Sequence, residues 1–128
     1  MNPLSLLSSL FNAGGSDVRR VAPAEAAHLV AAGQAALIDV REPGEWTDGV
    51  AAPAALLALS DLSGSRQKWK PFLEKNRDKE LIFYCLSGAR SGSAARLLAK
   101  EGFRTANAGS IYDWSGAGLP VSKPKGRR

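Results

Sequence analysis

The sequence predicts an α/β fold with a mainly parallel sheet that is covered by helices on both faces. Apolar runs of strand length, such as residues 36–40 and 81–84, alternate with segments of helical length and composition, such as residues 24–32 and 91–100. Alternation of strands with helices is typical of parallel sheets. The chain has 128 residues, 45% hydrophobic and 23% charged, which is enough to bury one core.

Composition excludes several classes of protein. The fractions of hydrophobic and charged residues are far from those of disordered or collagen-like chains. No run approaches the roughly 20 apolar residues that a membrane span needs, so we expect none. The single cysteine, Cys85, rules out an internal disulfide and weakly favours a cytoplasmic protein. It is either a filler of the core or a reactive group.

Most of the net charge of +5 lies in a basic tail, residues 122–128. Four of the 17 basic residues fall there, and the rest of the chain carries 13 basic against 12 acidic residues. The domain itself is therefore almost neutral, and we expect the tail to be solvated. Nucleic-acid binding needs a basic face on the fold, so we expect no nucleic-acid partner.

The first 17 residues are a separate extension. Leu4, Leu7, Leu10 and Phe11 recur at near-helical spacing, and a glycine-containing break follows. No basic residue precedes Arg19, which argues against a secretory signal and against a helix on a membrane surface. We expect this helix to dock on the domain or on a second copy of the chain.

The domain itself spans residues 18–121. A short strand at 17–21 is followed by a helix that starts at Pro23 and ends before Gly33. Further strands are predicted at 36–40, 54–59, 81–84 and 103–107. Helices are predicted at 66–76, where Pro71 kinks the helix or starts a second turn, and at 91–100, capped by Ser91 and followed by Gly102.

A candidate active site follows the most apolar strand. Cys85 ends that strand and precedes a short loop with Gly88, which opens a helix at the carboxyl edge of the sheet. Inward N–H groups, the helix N-terminus and the cation of Arg90 all favour a thiolate, which is the nucleophilic form of cysteine. The alternative is a buried, inert cysteine, and the position at the strand end favours the nucleophile.

Several segments carry a family resemblance. They are Leu-Ile-Asp-Val-Arg-Glu-Pro at 37–43 with Glu45 and Trp46, Tyr-Cys-Leu-Ser-Gly-Ala-Arg-Ser at 84–91, Asn-Ala-Gly-Ser-Ile-Tyr-Asp-Trp at 107–114, and Gly-Leu-Pro-Val at 118–121. In this order and spacing the chain resembles a single-domain rhodanese, a thiosulfate-type sulfurtransferase. The resemblance covers residues 18–121 and implies a rhodanese fold with about five parallel strands between helices.

The resemblance also implies the chemistry. The Cys85 thiolate would take the outer sulfur of thiosulfate or a similar small anionic donor as a persulfide, with no metal and no organic cofactor. A thiol, a protein acceptor or cyanide would then remove that sulfur. Arg90 would hold the anionic donor, and the persulfide would be cradled by the loop N–H groups of Leu86, Ser87, Gly88, Ala89, Arg90 and Ser91.

Two other readings of the loop stay open. One is a non-catalytic or sulfur-relay module that passes sulfur to a docked partner protein. The other is a phosphatase or arsenate reductase. Related enzymes of that kind resemble this loop with five residues between cysteine and arginine, and often with histidine before cysteine. Here four residues separate Cys85 from Arg90 and Tyr84 precedes the cysteine, which favours sulfur chemistry.

Charged residues after the 36–40 strand form a second candidate group. We expect Asp39, Arg41 and Glu42 to brace the neighbouring loops, because a buried arginine needs carboxylates. The alternatives put Arg41 in the active site and Asp39 against the active loop. Residues 49–54 depart from the family pattern, since they lack its histidine and second glycine. The one histidine, His28, is expected on a helix away from Cys85.

Overall fold

A computed structural model of the chain describes residues 18–124. Its strands are β1 (Arg19–Arg20), β2 (Ala35–Asp39), β3 (Val50–Ala51), β4 (Ala55–Leu56), β5 (Glu80–Cys85), β6 (Thr105–Ser110) and β7 (Val121–Ser122). Its helices are α1 (Pro23–Ala31), α2 (Pro43–Trp46), α3 (Leu59–Leu62), α4 (Trp69–Lys75), α5 (Ala89–Lys100) and α6 (Ile111–Gly116). The helix predicted within residues 1–17 and the end of the basic tail lie outside the described residues.

The predicted parallel sheet is confirmed. Five strands form it in the order β1-β6-β5-β2-β4, and every neighbouring pair is parallel. A separate two-stranded sheet pairs β3 antiparallel with β7. β5 lies at the centre of the main sheet, which explains why its sequence is almost continuously apolar.

The side chains of β5 alternate between two cores. Leu81, Phe83 and Cys85 pack on one face with residues of α4 and α5. Ile82 and Tyr84 pack on the other with residues of α1 and α6. Because successive side chains of a strand point to opposite faces, the sheet has helices on both sides. Cys85 therefore points toward the helix that follows it in the chain.

The predicted strands and long helices form, with shifted bounds. The strand at 54–59 shortens to β4, the strand at 103–107 moves to Thr105–Ser110, and the helix at 66–76 shortens to α4 with Pro71 in its first turn. Ser91 was wrongly predicted as a helix cap. α5 starts at Ala89 with Gly88 as its N-cap, and Ser91 is a buried residue of the first turn.

Five short elements are absent from the sequence-based prediction: α2, α3, α6, β3 and β7. Each has two to six residues, too few for a helical or alternating pattern to repeat. α6 does carry a local signal, because Ser110 and Asp113 form a capping box at its start. Among residues 18–124, no helix combines the length and the apolar character that crossing a membrane requires.

Candidate active site

Cys85 lies at the carboxyl end of the central strand. It pairs with Ser110 of β6 after a register shift that begins at Phe83. Its side chain is fully buried, although Leu86 and Ser87, the next two residues, are exposed. The chain thus leaves the core at the sulfur and turns at once into α5. The cysteine is placed at the edge of the sheet where the sequence predicts a site.

The loop folds around the sulfur. Cys85 Sγ accepts hydrogen bonds from the Gly88 N–H at 3.0 Å and from the Ser91 N–H at 3.4 Å, and the Ser91 hydroxyl oxygen lies 3.4 Å from it. Gly88 has φ +97°, a left-handed conformation that only glycine adopts without strain, and this turn directs its N–H inward. A backbone nest of this kind is suited to an anion.

The ionisation of Cys85 reflects two opposing effects. Burial raises the pKa of the thiol, because a charge in a low-dielectric interior is poorly solvated. Hydrogen bonds from the Ser91 hydroxyl and from the N–H groups of Ser91, Ser87 and Gly88 lower it. The hydrogen bonds prevail, and the pKa lies below its ordinary value. Cys85 is therefore a more reactive nucleophile at neutral pH than a buried thiol without donors.

Only part of the predicted cradle points at the sulfur. The N–H groups of Leu86, Ala89 and Arg90 donate no hydrogen bond to Sγ within the described residues, and that of Ala89 donates to Ser87 Oγ at 3.4 Å. The N–H groups of Leu86 and Arg90 are therefore available to an atom farther out than Sγ.

Asn107 of β6 joins the site and was not among the predicted site residues. Its Oδ1 accepts from the Ser91 hydroxyl at 2.8 Å and from the Gly109 N–H at 2.9 Å, while its Nδ2 donates to the Gly88 carbonyl at 3.0 Å. A neutral amide carries no charge or nucleophile, so chemical reasoning did not single it out. Its place at the head of the 107–114 segment was the available signal.

Arg90 is paired with a carboxylate. Its Nη1 and Nη2 donate to the two carboxylate oxygens of Glu45 at 2.8 and 2.9 Å. The hydrogen bonds from Arg90 are the main cause that lowers the pKa of Glu45 to about 2, and the same contact raises the pKa of Arg90. Both side chains are about one-third exposed. An anion that reaches Arg90 must share it with Glu45.

Asp39 and Arg41 form a buried pair. Arg41 Nε lies 3.1 Å from both carboxylate oxygens of Asp39, and Arg41 Nη2 lies 2.8 Å from Asp39 Oδ2. The Asp39 carboxylate accepts from the backbone N–H, Nε and Nη2 of Arg41, and within residues 18–124 it accepts no hydrogen bond from residues 85–91. Glu42 accepts from the N–H and hydroxyl of Ser60 and so ties α2 to α3. That these three residues brace the site stays a prediction.

The segment that departs from the family pattern is anchored by two buried side chains. Arg41 Nη2 donates to the Gly49 carbonyl at 2.7 Å, and the Ala51 N–H donates to the Tyr84 hydroxyl at 2.8 Å. Burial and the Asp39 carboxylate raise the pKa of Tyr84, so this hydroxyl stays neutral. The wall at 49–54 is thus held without the histidine of the family pattern.

A pocket of about 380 Å³ opens beside the loop. Leu86, Tyr112 and Val121 form its apolar rim and are 39%, 70% and 44% exposed. The other lining residues are Arg41, Glu45, Asp48, Gly49, Ile111 and Ser115. His28 is exposed on α1 and takes no part. In residues 18–124, no three His, Cys, Asp or Glu side chains come close enough to hold a metal ion.

Several known proteins are similar to this chain. The rhodanese-like domain family matches residues 22–117. A sulfurtransferase of Allochromatium vinosum is 36% identical over 92 residues, which are 70% of this chain and 80% of that protein. The thiosulfate:glutathione sulfurtransferase of Saccharomyces cerevisiae is 36% identical over 90 residues, 61% of this chain and 63% of that protein. A human single-domain sulfurtransferase superposes with a TM-score of 0.65 and 28% identity, covering 77% of this chain and 96% of that one.

Proposed function

The chain belongs to the rhodanese-like domain family, and from this premise we propose that it is a sulfurtransferase that carries sulfane sulfur on Cys85 as a persulfide. The observation that carries the proposal is the nest of backbone hydrogen-bond donors around Sγ, from the N–H groups of Gly88 and Ser91. Donors fixed in this way stabilise negative charge on sulfur without reorganisation during the reaction.

The transfer has two displacement steps. First, the Cys85 thiolate attacks the outer sulfur of thiosulfate. A new S–S bond forms to Cys85, the S–S bond of thiosulfate breaks, and sulfite leaves with the electron pair. Second, an acceptor thiolate or cyanide attacks the outer sulfur of the persulfide, and Cys85 leaves as a thiolate. Each step needs an anionic sulfur in the loop, and we expect the second sulfur to be bound by loop N–H groups that Sγ does not use.

Arg90 supplies the charge that attracts the donor. Its guanidinium is about one-third exposed and is held in place by Glu45, so an incoming anion can replace one of the two carboxylate contacts. Charge-assisted hydrogen bonds from arginine to an oxyanion are directional, which would orient the donor with its outer sulfur toward Sγ.

The acceptor enters from the pocket beside Leu86. A space of about 380 Å³ fits a small thiol and falls at the lower end of the sizes of ligand pockets. Glutathione appears in the name of the yeast relative, and we propose a low-molecular-weight thiol of that class as acceptor here. The exposed apolar rim also favours a second candidate, a sulfur relay in which a protein docks over Leu86, Tyr112 and Val121.

Intact mass after incubation with thiosulfate tests the persulfide. We expect the gain of one sulfur, its loss after addition of a reductant, and no gain in Cys85→Ser, whose hydroxyl is a far poorer nucleophile toward sulfur. Because the chain has one cysteine, the added sulfur can be assigned to Cys85. No gain in a folded protein whose thiol still reacts with iodoacetamide would exclude thiosulfate as donor.

The second candidate separates in the same assay. A relay module would load from a protein persulfide but not from thiosulfate, and Tyr112→Ser would slow loading from the protein donor only. An aryl phosphatase would release phosphate from a small aryl phosphate in a Cys85-dependent reaction, which the proposal does not predict.

A further inference from the structure

The Ser91 hydroxyl lies between two atoms that both attract its proton. Ser91 Oγ is 3.4 Å from Cys85 Sγ and 2.8 Å from Asn107 Oδ1. All three side chains are buried, so water does not supply a replacement donor. A hydroxyl has one proton to donate, and it can serve only one of these atoms at a time.

The orientation of the Asn107 amide is fixed by its other contacts. Oδ1 accepts from the Gly109 N–H at 2.9 Å, and Nδ2 donates to the Gly88 carbonyl at 3.0 Å. A flipped amide would set N–H against N–H at Gly109 and oxygen against oxygen at Gly88. Oδ1 therefore faces Ser91 as an acceptor, and the hydroxyl proton of Ser91 points to Asn107. The lone pairs of Ser91 Oγ then face the sulfur.

This orientation of the Ser91 hydroxyl suits a thiol at Cys85 better than a thiolate. A protonated Cys85 can donate its S–H to Ser91 Oγ while Ser91 donates to Asn107. A thiolate has no proton to give, so Ser91 must rotate its hydroxyl toward the sulfur, and this breaks the shorter bond to Asn107. We propose that Asn107 is a positioning residue that holds the Ser91 proton away from Cys85. It thereby opposes ionisation of the thiol until the Ser91 hydroxyl rotates toward the sulfur.

This role of Asn107 rests on the proposed function of Cys85 as nucleophile, because it concerns what controls the ionisation of the Cys85 thiol. The Cys85 thiol stays protonated to a higher pH than it would without Asn107, and the Ser91 hydroxyl becomes a donor to the sulfur once negative charge develops there. The charge of Arg90 also acts on this sulfur. The other charged or titratable groups of the neighbouring elements are Glu45, Glu42, Asp39 with Arg41, Tyr84, and Asp113 beyond Gly109, and all of them stay in place in every variant used below.

The test is a double-mutant cycle read out by alkylation of the single cysteine. The iodoacetamide rate is measured across pH in the wild type, Asn107→Ala, Ser91→Ala and the double variant. The readout is the alkylation rate with Asn107→Ala divided by the rate without it, at a pH below the midpoint of the wild-type rate profile. We expect this ratio to be two- to tenfold higher when Ser91 is present than in the Ser91→Ala background, about the value of one hydrogen bond. Asn76→Ala, which removes a buried asparagine of the α4 terminus, is the matched control and should leave the rate unchanged.

A purely structural role for Asn107 predicts a different result. Loss of the bond to the Gly88 carbonyl would loosen the loop and slow alkylation by the same factor in both backgrounds. A ratio of one between the two backgrounds would overturn the proposal. Alkylation needs no sulfur donor, so this result is independent of whether thiosulfate loads the protein.

Two further measurements cover the case in which Asn107→Ala does not fold. Asn107→Asp keeps an acceptor for Ser91 and Gly109 and strengthens it, and it loses the donor to the Gly88 carbonyl equally in both backgrounds. The low-pH alkylation rate should therefore fall more when Asn107→Asp is made in the wild type than when it is made in Ser91→Ala. The infrared S–H band, which reports one thiol in this chain, should move to higher frequency in Ser91→Ala because the S–H···Oγ bond is lost. An unmoved band together with an equal fall in both backgrounds would overturn the assignment.

Discussion

Two arginine–carboxylate pairs flank the candidate site, and they differ in burial rather than in chemistry. Arg41 binds Asp39 through Nε and Nη2, with side chains 4% and 0% exposed. Arg90 binds Glu45 through Nη1 and Nη2, with side chains 34% and 32% exposed. The same two-point contact is therefore buried in the Arg41–Asp39 pair and partly exposed to solvent, beside the active loop, in the Arg90–Glu45 pair.

Burial decides what each pair can do. Removing two charges from water is costly, so the inner pair persists only because each charge satisfies the other and Arg41 also holds the Gly49 carbonyl. Water and salt screen the outer pair, and its contacts are weak enough for a substrate anion to compete. From this difference we expect the inner pair to brace the wall of the site and the outer pair to exchange its contacts with an incoming anion.

Breaking the inner pair should have the largest effect. Arg41→Met leaves Asp39 ionised and unpaired in the core, and we expect the free energy of unfolding to fall by about 3–5 kcal/mol. Urea unfolding followed by circular dichroism measures this loss. The double variant Asp39→Leu with Arg41→Met removes both charges and should be more stable than Arg41→Met alone. A loss below about 1 kcal/mol for the single variant would show that the pair does not brace the fold.

Breaking the outer pair should affect transfer more than stability. Arg90→Met should change the free energy of unfolding by less than about 1 kcal/mol, because exposed pairs contribute little. Loading of sulfur from thiosulfate should slow by about ten- to a hundredfold, the value of a charge-assisted hydrogen bond of about 1.5–3 kcal/mol. Stopped-flow loading and urea unfolding of the same preparation measure both. Equal loading rates would remove Arg90 from donor binding.

The fold and the nucleophile could be predicted from the sequence, whereas the pairing of Arg90 could not. The parallel sheet was predictable because β2, β5 and α5 are long enough to show apolar patterns, and Cys85 because a nucleophile at a strand end is conspicuous. The partner of Arg90 was not predictable, because Glu45 is 45 residues away and the two meet only through the packing of α2 against the loop.

Asn107 and Ser91 illustrate a second limit. Sequence placed Ser91 at a helix start, but its hydroxyl turns inward because the N-cap position is taken by Gly88 at positive φ. The proposed role of Asn107 depends on two contacts that it makes from β6 to the start of α5, to Ser91 and to Gly88. Neutral polar groups acquire roles of this kind from their neighbours, and the residue types alone do not reveal them.

A milder change sharpens the comparison by freeing the cation of the outer pair. Glu45→Gln keeps an oxygen for the Glu42 N–H but removes the charge that competes for Arg90. We expect loading at low thiosulfate concentration to rise about two- to fivefold, since an exposed pair is worth about 0.2–1 kcal/mol. Glu101→Gln is the matched control, because Glu101 pairs with Arg66 through the same two-point contact at the opposite end of α5 from the loop. A rise of the same size in the control would point to bulk charge rather than to Arg90.

The smallest expected effect is the pH dependence of the outer pair. The pKa of Glu45 is lowered from its ordinary value of 4.5 to about 2, chiefly by the hydrogen bonds from Arg90. A carboxylate with a depressed pKa contributes stability that is complete above the unfolded pKa and is lost as pH falls toward the folded one. The difference in unfolding free energy between wild type and Glu45→Gln should therefore be constant above about pH 5 and shrink from there toward pH 2. Because the pair is partly exposed, the whole change should stay below about 1 kcal/mol. Urea unfolding at a series of pH values measures it, and a difference that grows on acidification would contradict the assigned pair.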